Sequence, residues 1–371
     1  MTRRSRHKWQ SIKAFYRLYT AGLSRAEIER LLKRESADVY SFYRRGGAAL
    51  PDQRFPRKQL SVVRELFVSF VMKLTPARRL FYGIAILIFC FAVVTGRWWY
   101  ASLAFLTLNL LLAFEVADKM LAKDELEIAR EIQMGLQPEN HPRVGCLDIS
   151  AFYQPAREVG GDYYDIAQLD EHRIAVMIGD VSGKGMPAAL YAVKLQGLFE
   201  SLTSLLTSPK DILVRMNESI KERLQRTYFM TAVLAFINTE SGKMRLARAG
   251  HNAPIYYNAR KQKVTLLKPT GLGIGLADGD IFAAELAEKE IPLTQDDILV
   301  FYTDGIVEAM NAAKEQFGEE RLARLVAENS ALSAKDLQDK IVYDLSHFCS
   351  RALLDDDATL VVMKNNGTRI S

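Results

Sequence analysis

Aspartates stand beside glycines at several points where an ordinary strand would carry valine. Asp162 and Asp165 lie in GGDYYD, Asp180 in IGDVSGKG and Asp304 in YTDG, and Asp355, Asp356 and Asp357 run together ahead of ATLVV. In three of these clusters an apolar stretch delivers a carboxylate into a glycine-bearing loop. Each has an ordinary explanation by itself, because Asp before Gly is a common turn pair and Asp ahead of a strand can act as a cap. As a set they ask for more. Carboxylates gathered at strand ends repel one another and need positive charge between them, and oxygen-only donors suit hard cations such as Mg²⁺ or Mn²⁺.

The elements that must position these residues are readable in outline. LDISAFY, RIAVMIGDV, FMTAVLAFI, MRLARAG, PIYY, DILVFYTDG and ATLVVMK are rich in β-branched and aromatic residues and bounded by Gly, Pro or Asp, which predicts strands between about Val144 and Lys364. Helical patterns cover Met186 to Leu206 and Pro209 to Arg226, with another pair across Glu319 to Ala352. Strands in series with helices in pairs predict an α+β domain with antiparallel sheets. On this reading Asp162 and Asp165 sit in a glycine-bounded turn after the first strand.

The rest of the chain is of another kind. Residues 1–79 carry 19 Lys plus Arg against 6 Asp plus Glu, so a basic head of net +13 precedes a body that brings the whole to +5. That head holds LSRAEIERLLKRE, with Ser24 as N-cap and Glu27 three residues on, a capping box opening a basic helix. A helix lying near anionic headgroups accounts for it. No nucleic-acid-binding motif accompanies the charge, so no nucleic acid is expected. From Leu80 to Phe114 the only charge is Arg97, set among Gly96, Trp98, Trp99 and Tyr100. Two apolar helices of about 17 residues around a tight turn predict a transmembrane hairpin, the alternative being a buried helical hairpin in a soluble domain. Lys73, Arg78 and Arg79 before it, with Lys119 and Lys123 after it, predict a two-pass protein of the cytoplasmic membrane with both termini in the cytosol.

One further helix continues out of the second span, because Leu121, Leu126, Ile128, Ala129, Ile132 and Leu136 recur at helical spacing until Pro138. It is either a spacer or a stalk that pairs with its copy in a homodimer. Cys90, Cys146 and Cys349 are odd in number and lack CxxC spacing, so neither a disulfide framework nor a zinc knuckle is indicated. The expected domains are a basic cytoplasmic region at 1–79, the hairpin at 80–114, a helical linker at 115–138 and a catalytic domain at 139–371.

Six stretches now read together. AREIQMGLQP, PAREVGGDYYD, IGDVSGKGMPAAL, ARAGHNAPIYY, YTDGIVEA and DDDATLVV occur in the order and approximate spacing of the SpoIIE/RsbU-like branch of the PPM metal-dependent protein phosphatases, relatives of the type 2C serine/threonine phosphatases. The resemblance spans roughly Asp124 to Lys364 and implies a β-sandwich of two antiparallel sheets flanked by helices, with a two-metal centre in a cleft. It also implies roles for single residues. Asp162 resembles the ligand of the first motif, Asp180 the aspartate bridging both ions with the Val181 carbonyl beside it, and Asp304 and Asp356 the remaining ligands. Asp165, Gly305, Glu308 and Asp357 would support that shell from behind, with the register inside Asp355–Asp357 open by one residue. Arg157 is spaced like the phosphate-binding arginine of type 2C enzymes, and His251 reads as mainly structural. Two Mn²⁺ or Mg²⁺ ions would activate a water for hydrolysis of phosphoserine or phosphothreonine. The usual substrate in this branch is a phosphorylated STAS-domain anti-anti-sigma factor in a partner-switching pathway.

Rival classes fare less well. Tyr163 and Tyr164 replace the Glu-Phe of the GGDEF signature of diguanylate cyclases, and Gly185 follows Lys184 where a P-loop requires Ser or Thr. A catalytically inactive, membrane-anchored pseudophosphatase that only binds a partner should have lost ligands, yet all four expected aspartates are present.

Overall fold

The computed structural model describes residues 67–138, 144–221, 228–350 and 354–367. The capping box at Ser24 and Glu27 lies outside the described residues, as does most of the basic head. The chain divides into two compact units, Met1–Met120 and Leu121–Ser371.

In the first unit, α1 (Pro76–Thr95) opens on a proline at its first turn and closes on Gly96 in the left-handed conformation, φ 68°. A residue with a side chain would be strained there, and the glycine lets the chain reverse within two residues into α2 (Trp98–Gly135). The buried residues of the hairpin include Ala85, Ala92 and Ala104, small side chains that let two helices approach closely. At its open end the Arg78 guanidinium donates to Glu115 at 2.9 Å and Asp118 at 2.6 Å. Both helices are long and apolar enough to cross a membrane, with mean hydropathies of 2.0 and 1.7 over their most apolar windows.

The second unit is a β-sandwich. One sheet has the order β1 (Leu147–Gln154), β10 (Ala358–Asn365), β9 (Ile298–Tyr302), β6 (Ile255–Asn258), β7 (Lys263–Leu266). The other has the order β2 (Asp162–Gln168), β3 (Arg173–Val181), β4 (Met230–Asn238), β5 (Lys243–Ala249), β8 (Glu288–Pro292). Every recorded pairing between these strands is antiparallel. The strands alternate their side chains between two cores, as a pleat requires. Tyr164, Ile166, Ile174, Val176 and Ile178 meet Leu299, Phe301, Val361 and Met363 between the sheets. On the outer face of the second sheet, Tyr163, Ala175 and Met177 pack under α3 (Met186–Thr203) and α4 (Pro209–Lys221). On the outer face of the first, Val300, Leu360 and Val362 pack under α7 (Glu319–Glu328) and α8 (Ala334–Phe348). Short helices α5 (Gly279–Glu285) and α6 (Asp304–Val307) complete the unit.

The α+β sandwich and the paired helices agree with the sequence reading, and two local expectations are corrected. GGDYYD is not a turn: Asp162 opens β2, whose Asp162 faces Asp180 of β3 across the ladder. Gly and Asp are poor strand formers, and here the register against β3 overrides that preference. Strands β7 and β8 were not expected. Both are short edge strands with exposed Lys or Glu, which blunts the edge and erases the apolar signal. The helix read to Arg226 is seen to Lys221, with 222–227 outside the described residues.

Candidate metal centre

Both sheets contribute to one cluster of carboxylates. Asp162 begins β2, Asp180 lies one residue from the end of β3, Asp304 is the first residue of α6 just past β9, and Asp356 and Asp357 precede β10. Asp180 is the hub. Burial first, then the charges of Asp304, Asp356 and Asp357, push its carboxyl up to about 8. Burial also raises Asp304, with Asp356 and Glu308 adding to the push. Asp162, almost wholly buried, is held well above the usual carboxylate range by desolvation and then by Asp180.

The supporting contacts distinguish the members. One oxygen of Asp162 accepts from the Thr303 hydroxyl at 2.7 Å and the Thr359 hydroxyl at 2.6 Å, so the two sheets are tied together through this side chain. Asp357 uses both oxygens on backbone: Oδ1 accepts from the Ala156 amide at 2.8 Å and Oδ2 from the Gly161 amide at 2.6 Å. Asp356 is half-exposed, and its Oδ2 meets the Lys184 ammonium at 2.7 Å. The contacts thus differ between the neighbours that the sequence left open by one register: Asp357 braces the loop through two backbone amides, and Asp356 pairs with Lys184.

Two glycines permit this convergence. A Cβ on Gly161 would lie 3.0 Å from the Val181 carbonyl and 3.4 Å from Asp180 Oδ1, so that glycine lines the hub. A Cβ on Gly305 would fall 1.9 Å from the Asp357 carbonyl oxygen. Gln133, buried near the end of α2, takes part as well. Its side-chain amide donates to the Gly160 carbonyl at 2.8 Å, and its oxygen accepts from the Gly160 amide at 3.1 Å. The sequence marked AREIQMGLQP as one of the six family-like stretches but gave Gln133 no role, because a buried glutamine is not separable from a solvated one by helical spacing.

Other expected residues stand elsewhere. Asp165 is three residues from Asp162 on the same strand, hence on its opposite face. It accepts from the Tyr163 hydroxyl at 2.9 Å and from the Ile166 amide at 2.7 Å, and burial raises its carboxyl. The expectation that it supports the aspartate shell is corrected on that ground. Glu308 is exposed, and its charge adds to the upward push on Asp304. Arg157 is exposed in the loop between β1 and β2. His251 is buried with Nδ1 2.8 Å from Thr231 Oγ1, and Thr231 is the register partner of Asp180. Burial pushes its imidazole down to about 4, so it stands neutral beside the sheet.

Oxygen-only donors, mutual repulsion and a glycine that leaves the Val181 carbonyl uncovered fit a hard divalent cation. As the side chains stand, no three His, Cys, Asp or Glu among the described residues close into a cation cage. Asp356 holds Lys184 instead.

The comparisons with known proteins agree with this architecture. The sequence profile of the family described as Stage II sporulation protein E (SpoIIE) matches residues 170–366, which takes in Asp180, Asp304 and Asp356 and begins just after Asp162. The phosphoserine phosphatase RsbU of Bacillus subtilis (strain 168) is 29% identical over 243 residues, 65% of this chain and 70% of that protein. The SiaA-PP2C domain of Pseudomonas aeruginosa has a similar fold, with TM-score 0.57 and 20% identity over 67% of this chain and 98% of that one. The PP2C phosphatase domain of SpoIIE from Bacillus subtilis, with a fragment of its regulatory domain, gives TM-score 0.51 and 18% identity over 60% and 64%. A profile match over more than half its length, carried on a PP2C-type sandwich, shows that the chain belongs to the SpoIIE family, on the RsbU-like branch of the PPM protein phosphatases.

Proposed function

We propose that this chain is a membrane-anchored, metal-dependent protein serine/threonine phosphatase. The observation that carries the reading is the convergence at Asp180 of carboxylates from both sheets, Asp162 facing it across the β2–β3 ladder and Asp304 and Asp356 raising its carboxyl from the ends of the other sheet. Asp162, Asp180, Asp304 and Asp356, with the Val181 carbonyl, are the proposed holders of two Mn²⁺ or Mg²⁺ ions. When bound, such ions supply an activated water and neutralise phosphoryl oxygens. The chain's own part is placement. Thr303 and Thr359 orient Asp162, the Ala156 and Gly161 amides orient Asp357, and Asp180, Asp304 and Asp356 remain accessible to a phosphorylated side chain on another protein. Similarity to a phosphoserine phosphatase supports phosphoserine or phosphothreonine as the bond broken. The family supports a STAS-type anti-anti-sigma regulator in a partner-switching pathway as the substrate. Full-length protein in detergent micelles should hydrolyse p-nitrophenyl phosphate with Mn²⁺ and lose that activity in EDTA. A folded chain inert under both conditions would be a pseudophosphatase.

The anchor is proposed to be the α1–α2 hairpin, two-pass in the cytoplasmic membrane, with residues 1–79 and the phosphatase domain in the cytosol. Helix length and hydropathy support it, as do the basic flanks. Cysteine labelling in intact cells should find the Gly96–Arg97 turn accessible from outside and Ser371 protected. Release of the chain by high salt without detergent would instead make it peripheral. Beyond the membrane, α2 exposes Leu121, Ile128 and Ile132, and pairing with a second copy would cover them in a homodimer.

A further inference from the structure

Lys184 sits between β3 and α3, flanked by Gly183 at φ 98° and Gly185 at φ 77°. Its ammonium lies 2.7 Å from Asp356 Oδ2 and donates to the Asp355 carbonyl at 3.0 Å. Its charge also reaches Asp180 and Asp304, where it opposes the upward push of their neighbours. One monovalent cation thus serves three carboxylates that the proposed function assigns to divalent ions.

We propose that Lys184 is the internal counter-cation of the aspartate cluster, which a divalent ion must displace from Asp356, so that this residue sets the metal concentration at which the site fills. The inference rests on the metal reading above and deepens it. Repulsion remains after displacement, because the freed ammonium is tethered beside the incoming dication. Both the lost ion pair and that repulsion weaken metal binding. The pair is half-exposed on both sides, with side-chain exposures of 43% and 44%, so solvent screens it and displacement is feasible. A lysine here lets the metal-free protein tolerate its carboxylates while keeping the site empty at low metal.

The test is Mn²⁺ binding by full-length protein in detergent, followed by calorimetry and by metal-dependent melting, for the parent, Lys184→Met and Lys184→Arg. Lys184→Met should bind Mn²⁺ roughly five- to tenfold more tightly than the parent, in keeping with one screened charge acting on a dication. The same variant in EDTA should melt below the parent, since Asp356 loses the ammonium that lies 2.7 Å from its Oδ2. Lys184→Arg keeps the charge and should stay within about twofold of the parent. Should Lys184→Met fail to melt cooperatively, Lys184→Gln repeats the neutralisation. Unchanged or weaker Mn²⁺ binding in a cooperatively folding neutral variant overturns the inference and leaves the metal reading intact. A parent that binds no Mn²⁺ overturns both.

Discussion

Asp180→Asn should abolish Mn²⁺-dependent phosphoserine hydrolysis and leave a folded protein that, stripped of metal, melts no lower than the parent. Activity should fall at least about 10²–10³-fold, the range for removing one group that stabilises developing charge. The stability half of the expectation follows from proton linkage. Burial, then Asp304, Asp356 and Asp357, raise the folded Asp180 carboxyl to about 8, whereas an unfolded aspartate releases its proton near ~4. The folded state therefore holds a proton that the unfolded chain has lost. Its contribution to stability is complete below about pH 4 and is lost as pH rises through about 8. In EDTA the parent should melt progressively lower from pH 5 to pH 8, and Asp180→Asn should flatten that slope, with the remainder coming from Asp162 and Asp304, which are raised too. Mn²⁺ should stabilise the parent more than the variant by mass action. Thermal melts across pH, with and without metal, check each arm. Parental turnover in Asp180→Asn, or equal Mn²⁺ stabilisation of both proteins, would show that this carboxylate is not the hub.

Gly305→Ala should be strongly damaging. The added Cβ would lie 1.9 Å from the Asp357 carbonyl oxygen and 2.8 Å from its carbon, both backbone atoms that no side-chain rotation can clear. Either α6 or the loop before β10 must shift. Overpacking of this kind costs about 1–3 kcal/mol, and the shift also pulls Asp357 from the Ala156 and Gly161 amides that hold the loop. Melting temperature and Mn²⁺-dependent stabilisation should fall together. Gly197→Ala in α3 is the contrast, since a Cβ there meets nothing within 4 Å. It should raise stability by roughly 0.5–1 kcal/mol, because alanine is the better helix former. Equal behaviour of the two variants would mean that the close approach at Gly305 is not maintained in solution.

Much of this protein was legible before any coordinates. The hairpin around Gly96–Arg97 follows from one apolar run broken only at that turn, and the helix leaving it follows from spacing that persists to Gly135. The strand runs and helix pairs pointed to an α+β domain with antiparallel sheets, while the sandwich and the family were implied only by the resemblance of the six ordered stretches. These are local signals: periodicity, capping and turn chemistry act over a few residues, and a chain carries them wherever it is read.

Tertiary structure decided the rest, because the deciding contacts join residues far apart in sequence. Asp162 meets Thr359 across 197 positions, and Gly161 meets Asp357 across 196. No local preference separates Asp356 from Asp357. What separates them is that two distant amides saturate one while the other is left to Lys184. Asp165 was misplaced for a related reason. Once GGDYYD is a strand rather than a turn, a three-residue offset turns its carboxylate to the opposite face, and only the pairing of Asp162 with Asp180 reveals that it is a strand. The sequence by itself determined which residue types could bind a hard cation. The meeting of two sheets determined which of those carboxylates face one another, since repulsion, burial and hydrogen bonding act through space and not along the chain.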